Sequence, residues 1–250
     1  MSLIDELTEL VPDPERGRRF SERFRAGLAD CAPGGRMRLD GIARWLQEVA
    51  YGDVEDAGLH FKAVWVVRRT RLRVRRFPRF AERCTAVTFC SGFGRMWAER
   101  RTSILVDGEE QPAVEAVSLW VHLEPGSWRP MVFSDAELDV YGEAAGGRRV
   151  SARLRHPPPN GAPEVARWCF RACDCDIAGH INNAVYLQVL EELMLLGEAG
   201  SEPAALDVEI EYRTPAQPGE TLVLADGARR WIAASDGTVH ASAVLQVSSR

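Results

Sequence analysis

Asp40-Gly-Ile-Ala-Arg-Trp-Leu-Gln-Glu-Val49 is the segment that decides the fold, because the chain carries a second version of it. That version, Ala184-Val-Tyr-Leu-Gln-Val-Leu-Glu-Glu-Leu193, lies 144 residues further on. In both copies apolar residues recur at i, i+3, i+4 and i+7, starting from Ile42 and Tyr186. This is the spacing of one face of a helix. Repetition at a fixed offset indicates repeated structure, so the sequence predicts a duplicated chain with one long amphipathic helix in each half.

Segments of alternating apolar and polar residues follow each predicted helix, at Thr70–Arg75 and Asp207–Arg213. A period of two with β-branched and aromatic residues is typical of strands. The Asp107-Gly108 and Asp236-Gly237 pairs are strong signals for tight hairpins. Further strands are predicted over 84–89, 97–106, 114–123, 221–224, 230–234 and 238–247.

An amphipathic helix must bury its apolar stripe against another layer of structure. The simplest arrangement wraps an antiparallel sheet around each helix and packs the two halves side by side. We therefore predict an α+β protein with an N-terminal unit at 1–125 and a C-terminal unit at 164–250. The segment 126–163 is rich in Gly and Pro and has little periodicity, so it is predicted to be a long connection.

The composition excludes several classes of protein. The chain has 250 residues, of which 46% are hydrophobic and 27% charged, as in ordinary globular proteins. A net charge of −5 argues against nucleic acid as a partner. We expect no membrane segment and no secretory signal, because the chain lacks a suitable apolar run. Six sparse cysteines without a leader favour reduced thiols and a cytosolic location.

The two halves differ most just before their helices. The second half has Asp174-Cys-Asp176-Ile-Ala-Gly179-His180-Ile-Asn182-Asn183-Ala-Val-Tyr186. The first half has Ala32 and Arg36 at the positions of Asp176 and His180. A reactive loop in only one copy of a duplicated chain predicts one site per chain.

The chemistry of this loop suits attack on a carbonyl group. We expect Asp176 to lie about one turn ahead of the helix and Gly179 to let the backbone approach a ligand closely. Free N–H groups from about Gly179 to Asn183, together with the helix dipole, could hold an oxyanion. One such donor lowers the barrier by roughly 3–4 kcal/mol. A nearby carboxylate could activate water or attack directly.

Simpler interpretations exist for each of these residues. Asp176 could only cap the following helix, and His180 could pack locally. Local backbone bonding is the alternative for Asn182 and the favoured interpretation for Asn183. Cys173 and Cys175 lack the usual zinc spacing, so we expect no metal site; strand alternation would place both thiols on one face. A Cys–His nucleophile built on them stays open as an alternative.

The loop resembles the signature of the hotdog-fold thioesterases, Asp-x-x-Gly-His-x-Asn-Asn-x-x-Tyr, at every fixed position from Asp176 to Tyr186. The duplication makes the chain similar to one branch, the double-hotdog acyl-acyl-carrier-protein (acyl-ACP) thioesterases, from about Phe20 to the end. First-half segments that support this resemblance are Trp65–Arg68, Arg75–Pro78, Ser91–Arg95, Ser118–Val121 and Arg129-Pro130. The resemblance implies a double hotdog fold, with Asp176 and His180 as catalytic residues.

The chain departs from the plant members of that family at two places. Ala178 stands where they have an Asn, and Thr214-Pro215-Ala216 follows the Glu211–Arg213 strand end where they have a Glu-Cys pair. A thiol nucleophile at that place is therefore excluded. The remaining mechanism uses Asp176 as general base or nucleophile and backbone N–H groups near Gly179 and His180 as the oxyanion hole. His180 and Asn182 would orient water or substrate.

The resemblance implies an enzyme of fatty acid biosynthesis and lipid metabolism that hydrolyses a fatty or polyketide-type acyl thioester without a cofactor. The handle would be acyl carrier protein or coenzyme A, and a homodimer remains possible. The first half would supply the acyl cavity. Its arginine-rich run from Arg68 to Arg79 is interpreted as a solvated strand face or, alternatively, as a dock for an acidic partner. Two alternatives are a non-catalytic acyl- or carrier-binding module and a hotdog dehydratase, whose signatures are absent.

Overall fold

The computed structural model describes residues 4, 7–197 and 203–248. The parts of the predicted N- and C-terminal units at 1–3, 5, 6, 198–202, 249 and 250 lie outside the described residues. The helices are α1 (Leu39–Asp56), α2 (Asp135–Ala145) and α3 (Val185–Gly197). The strands are β1 (Phe20–Arg25), β2 (Val64–Val74), β3 (Arg83–Phe93), β4 (Trp97–Val106), β5 (Val114–Leu123), β6 (Glu164–Phe170), β7 (Ala205–Tyr212), β8 (Gly219–Asp226), β9 (Arg229–Ala233) and β10 (Val239–Ser248).

The strands form one antiparallel sheet in the order β1-β3-β4-β5-β2-β7-β10-β9-β8-β6. Strands of the first half occupy one end and strands of the second half the other, and β2 pairs with β7 in the middle. Both hairpin predictions are confirmed, since β4 pairs with β5 and β9 pairs with β10. The predicted α+β class with a large antiparallel sheet is likewise confirmed.

The apolar stripes of α1 and α3 are buried as their spacing predicts. Ile42 and Val49 on α1 have no exposed surface, and Val189 and Leu190 on α3 are each 1% exposed. These residues belong to one hydrophobic cluster that also contains strand residues of both halves. The two helices therefore share a continuous core.

The connection between the halves contains a helix that the sequence analysis did not predict. Helix α2 begins after Ser134, whose backbone N–H donates to the Glu137 carboxylate at 2.8 Å. It ends at Gly146, which has a φ of +55°. Tyr141 of α2 packs against a second apolar cluster that includes Phe93. The Ser134-Asp-Ala-Glu137 spacing is a capping-box signal, and the surrounding Gly and Pro residues obscured it.

The arginine-rich strand is not a solvated face, so that interpretation is wrong for its central residues. Arg69 and Arg71 are 4% and 1% exposed, and Arg71 forms a two-point ion pair with Asp207 on β7. Strand alternation places these arginines on the sheet face opposite the helices. The N-terminal segment crosses that face, since Arg71 also donates to the carbonyl of Thr8.

Within the described ranges, no helix is long and apolar enough to cross a membrane.

Candidate active site

The loop between β6 and α3 is held by three backbone hydrogen bonds. The N–H of Asp176 donates to the carbonyl of His180, that of Gly179 to Asp176, and that of Asn182 to Asp174. Gly179 has a φ of +75°, a conformation that glycine adopts without strain. The first half has the same three bonds 144 residues earlier, from Ala32 to Arg36, Gly35 to Ala32 and Arg38 to Asp30. The duplication therefore extends to the backbone geometry of the loop.

Helix α3 begins at Val185, so the expectation that Asp176 lies one turn ahead of it is wrong. The intervening residues form the hydrogen-bonded loop instead. The expectation of a continuous run of free N–H groups is also wrong, because those of Gly179, Ile181 and Asn182 donate to backbone carbonyls. Among the described residues, the N–H groups of His180 and Asn183 have no acceptor within hydrogen-bond distance. Within the predicted run from Gly179 to Asn183, two backbone donors are therefore available to a ligand.

Asp176 is half-buried and borders a cavity of about 780 Å³. One oxygen accepts the N–H of Ala178 at 2.9 Å, and the other accepts the Asn182 side-chain amide at 3.2 Å. An ionised carboxylate has about four lone-pair sites, so acceptor capacity remains for water or substrate. These neighbours therefore orient the Asp176 carboxylate without using all of its hydrogen-bond acceptor sites.

The Asn182 side chain connects the loop to the first half of the chain. Its oxygen accepts from the N–H of Ala184 at 2.8 Å and from the Gln47 amide on α1 at 3.2 Å. Because both groups are donors, the side-chain atom that they contact must be the amide oxygen of Asn182. The NH₂ group of Asn182 therefore faces Asp176. Sequence reasoning missed Gln47; the only hint was its alignment with the second helix.

His180 is half-buried and borders the same cavity. Its imidazole has no hydrogen-bond partner among the described residues, so both ring nitrogens are available to a ligand. The structure brings together the predicted residues Asp176, Gly179, His180 and Asn182 in one loop. Gly179 shapes the turn, and its own N–H is already used.

The cavity has a volume of about 780 Å³ and lies between the loop and the first half. This volume is within the usual range for small-molecule sites. Its walls are largely apolar and come from α1 and from β2 to β5, and they include Ala50, Val54, Trp65, Phe93, Ala98 and Trp120. Among the residues of the Arg68–Arg79 run, Arg68 alone borders it. Burial and the nearby charge of Arg213 lower the pKa of Arg68 from its usual value.

The cysteines near the loop are not placed as expected. Strand β6 ends at Phe170, so Cys173 lies in a turn and is exposed while Cys175 is partly buried. Neither borders the cavity. The described cysteine that does so is Cys90, and burial raises the pKa of its thiol to about 12. This geometry disfavours the alternative of a Cys–His nucleophile.

The corresponding place in the first half is filled by an ion pair. Arg36, at the position of His180, lies 2.7 Å from the Glu191 carboxylate of α3, and both side chains are buried. The guanidinium also stacks over the Phe77 ring at 5.0 Å from its centroid. Ala32 provides no carboxylate where the second half has Asp176. In the first half, a buried ion pair therefore occupies the place of the predicted site residues.

Comparison with known proteins identifies two adjoining family regions. Residues 17–141 match the family model of the acyl-ACP thioesterase N-terminal domain, and residues 159–243 match that of its C-terminal domain. An uncharacterized protein of Mycobacterium tuberculosis is 24% identical over 216 residues, which cover 86% of this chain and 85% of that protein.

Solved structures share the fold at low sequence identity. A Lactobacillus plantarum protein described as an oleoyl thioesterase has a TM-score of 0.74 at 18% identity, covering 94% of this chain and 98% of that one. The 12:0-ACP thioesterase of Umbellularia californica has a TM-score of 0.73 at 17% identity, with 94% and 99% covered.

Proposed function

The chain belongs to the acyl-ACP thioesterase family of thioester hydrolases, and we propose that it hydrolyses a fatty or polyketide-type acyl thioester to the free acid. The observation that carries this proposal is the position of Asp176 beside a largely apolar cavity of about 780 Å³. Its carboxylate accepts two hydrogen bonds and can still accept one from water or substrate. The acyl chain would lie along the first-half walls, with its carbonyl carbon near Asp176. In this proposal each half is a hotdog unit, at 1–125 and 164–250, with 126–163 as the linker.

The proposed mechanism requires one base, two donors and a water molecule. Asp176 removes a proton from water as the water oxygen bonds to the thioester carbon. The N–H groups of His180 and Asn183, in the loop shaped by Gly179, stabilise the oxyanion. The carbon–sulfur bond then breaks, and the leaving thiolate takes the proton held by Asp176, which restores the carboxylate. Asn182 holds the carboxylate and His180 orients water or substrate.

Direct attack by Asp176 is the covalent version of the same proposal. The carboxylate oxygen would bond to the thioester carbon, the thiolate would leave, and water would hydrolyse the resulting anhydride. A single turnover in ¹⁸O-labelled water tests for the covalent route. Label in the Asp176 carboxylate identifies attack of water on the Asp176 carbon of an anhydride. Direct attack of water on the thioester places the label in the acid product, as does attack of water on the acyl carbon of the anhydride.

The carrier that holds the acyl group as a thioester is acyl carrier protein in the first version of the proposal and coenzyme A in the second. Both present a phosphopantetheine arm, and Arg68 and Arg213 are among the residues that border the cavity. Arginine pairs well with phosphate, which supports an anionic handle. A role in fatty acid biosynthesis, a cytosolic location and a homodimer remain predictions.

The first experiment measures free thiol release from matched acyl-ACP and acyl-CoA panels of different chain lengths. Asp176→Asn is expected to lower kcat by roughly 10²-fold or more, because it removes the general base. Asp174→Asn is the matched control, since that side chain accepts only the N–H of Arg171 and does not border the cavity.

Three other outcomes are distinguishable. Equal activity of wild type and Asp176→Asn would remove Asp176 from the mechanism and make His180 the next candidate. Tight thioester binding without turnover by wild type would favour the acyl- or carrier-binding module. Release of the thiol from one handle only would identify the substrate class.

A further inference from the structure

A buried cluster of three potential metal ligands lies on the other side of the sheet from the helices. His156 belongs to the connection, whereas Glu209 and Glu211 alternate on β7. Their neighbours Val208 and Ile210 face the helical core, so the two carboxylates point to the opposite face. Both glutamates are fully buried and His156 is 6% exposed. One potential ligand atom from each residue lies within 4.8 Å of the other two.

The hydrogen bonds of His156 define which ring nitrogen is free. Its Nδ1 lies 3.1 Å from the carbonyl oxygen of Ser242. The Ser242 hydroxyl lies equally close to Nδ1 and can donate or accept, whereas the carbonyl can only accept. A hydrogen on Nδ1 therefore serves either oxygen and leaves a lone pair on Nε2 of the neutral ring. No hydrogen-bond partner satisfies Nε2, which faces Glu209 Oε1 at 3.4 Å.

The two carboxylates differ in how their charge is balanced. Glu211 accepts the backbone N–H groups of Arg155 and His156 and a guanidinium N–H of Arg213. Glu209 accepts none, and both of its oxygens are buried without a hydrogen-bond partner. Among the described residues, no Arg or Lys nitrogen lies within ion-pair distance of it. A buried carboxylate beside an imidazole lone pair is unfavourable unless a cation lies between them.

The separation of His156 Nε2 and Glu209 Oε1 is longer than that of a hydrogen-bonded pair and accommodates a metal ion. A charge-assisted N–H···O bond spans about 2.7–2.9 Å, which is shorter than the 3.4 Å from His156 Nε2 to Glu209 Oε1. Two ligands of a tetrahedral zinc ion, each bonded at about 2.0–2.1 Å, lie about 3.3–3.4 Å apart. The observed separation therefore matches two ligands of one metal ion.

We propose that His156, Glu209 and Glu211 bind a divalent cation of the zinc type. The ligands are Nε2 of His156 and one carboxylate oxygen each from Glu209 and Glu211. Nitrogen and carboxylate oxygen are donors that zinc accepts in tetrahedral sites. The ion would fasten the connection to β7, which is a structural role separate from thioester hydrolysis. The sequence analysis predicted no metal site because it weighed Cys173 and Cys175, which lack the usual zinc spacing. His156 and Glu209 lie 53 positions apart and form no local motif.

The test uses the full-length protein with zinc as the probe. Purified protein is dialysed against metal-free buffer, and zinc per chain is measured by elemental mass spectrometry. The melting temperature is recorded after chelator treatment and again after zinc is restored. Wild type is expected to retain about one zinc ion per chain and to melt at a higher temperature when zinc is restored. Glu209→Gln is expected to lose both properties.

A matched control is Glu137→Gln. It removes the carboxylate of another buried pair, in which His122 Nε2 lies 2.8 Å from Glu137 Oε1. This variant is expected to retain zinc. The wild-type measurements stand on their own if Glu209→Gln fails to fold.

Two results would overturn the proposal. In the first, wild type holds no zinc and melts at the same temperature with and without it. The cluster would then be an ion pair between a protonated His156 and Glu209. Zinc retained by folded Glu209→Gln would assign the metal elsewhere, for example to the exposed thiols of Cys169 and Cys173.

Discussion

Single residues at the proposed site depend on a contact from the other half of the chain. The Gln47 amide on α1 donates to the Asn182 oxygen, and the Asn182 amide donates in turn to Asp176. Gln188 on α3 makes the reciprocal contact, since its amide donates to Asp40 in the first half at 2.7 Å. Each helix thus helps to hold a polar side chain of the opposite half.

Gln47→Ala is expected to reduce kcat by roughly 2- to 10-fold while KM stays nearly constant. The reason is that the variant loses one hydrogen bond with a net value of about 0.5–1.5 kcal/mol, which aligns Asn182 and through it Asp176. Steady-state kinetics on the best thioester from the panel measure the effect.

Gln188→Ala is the matched control, because it removes the equivalent helix amide from a residue outside the proposed site. It should leave kcat unchanged. An equal fall in kcat for both variants would show that packing between the helices, rather than the position of Asn182, causes the loss.

At the scale of elements, α3 is tied to the loop before α1 by buried charge. Glu191 lies 2.7 Å from the Arg36 guanidinium and also accepts the N–H of Leu39, the first residue of α1, at 2.6 Å. Such a pair is costly to break, because removal of one partner leaves the other buried and uncompensated.

Glu191→Ala is expected to lower the free energy of unfolding by about 3–5 kcal/mol. The double variant Arg36→Met with Glu191→Leu should cost much less, because it buries no unpaired charge. Chemical denaturation measures both. Glu192→Ala, on the exposed side of the same helix, is the control for helix propensity and should change the free energy of unfolding little. If Glu191→Ala were as stable as this control, the ion pair would have no part in stability.

At the scale of the whole molecule, ion pairs of the sheet and of helix α1 involve carboxyl groups whose pKa is lowered. Burial tends to raise the pKa of Glu115, but hydrogen bonds and charge from Arg75 and Arg101 lower it overall. Asp40 behaves in the same way: burial is opposed by Arg38, Gln188 and Arg44, and its pKa is lowered. These groups bind protons less readily in the folded protein than in the unfolded chain.

The pH dependence of stability follows from that sign. A carboxyl group whose pKa is lowered in the fold stabilises the folded protein at pH values above its ordinary pKa, which is 4.5 for Glu115. This stabilisation is lost as the pH falls through the lower pKa of the folded state. We expect the denaturation midpoint to fall steeply below about pH 4.5. Glu115→Gln should flatten that fall, whereas Glu110→Gln, at an exposed position, should not. Identical acid profiles for wild type and Glu115→Gln would contradict the assignment.

Local pattern accounts for most of what sequence alone could predict. The helical spacing at Ile42 and Tyr186 and the two Asp-Gly pairs specify helices and hairpins, because these structures form between residues close in the chain. The motif from Asp176 to Tyr186 identified the loop for the same reason. The capping signal at Ser134 was present too and was overlooked.

Sequence by itself therefore determined the duplicated α+β pattern and the position of the loop in the second half that carries the proposed site. Only the tertiary structure decided which distant side chains meet: Gln47 with Asn182, Arg36 with Glu191, and His156 with Glu209. It also decided that the central arginines of β2 are buried, because the N-terminal segment crosses that face of the sheet. Such contacts depend on the path of the whole chain in three dimensions. The periodicity of a short segment predicts only the structure of that segment, so it cannot predict these contacts.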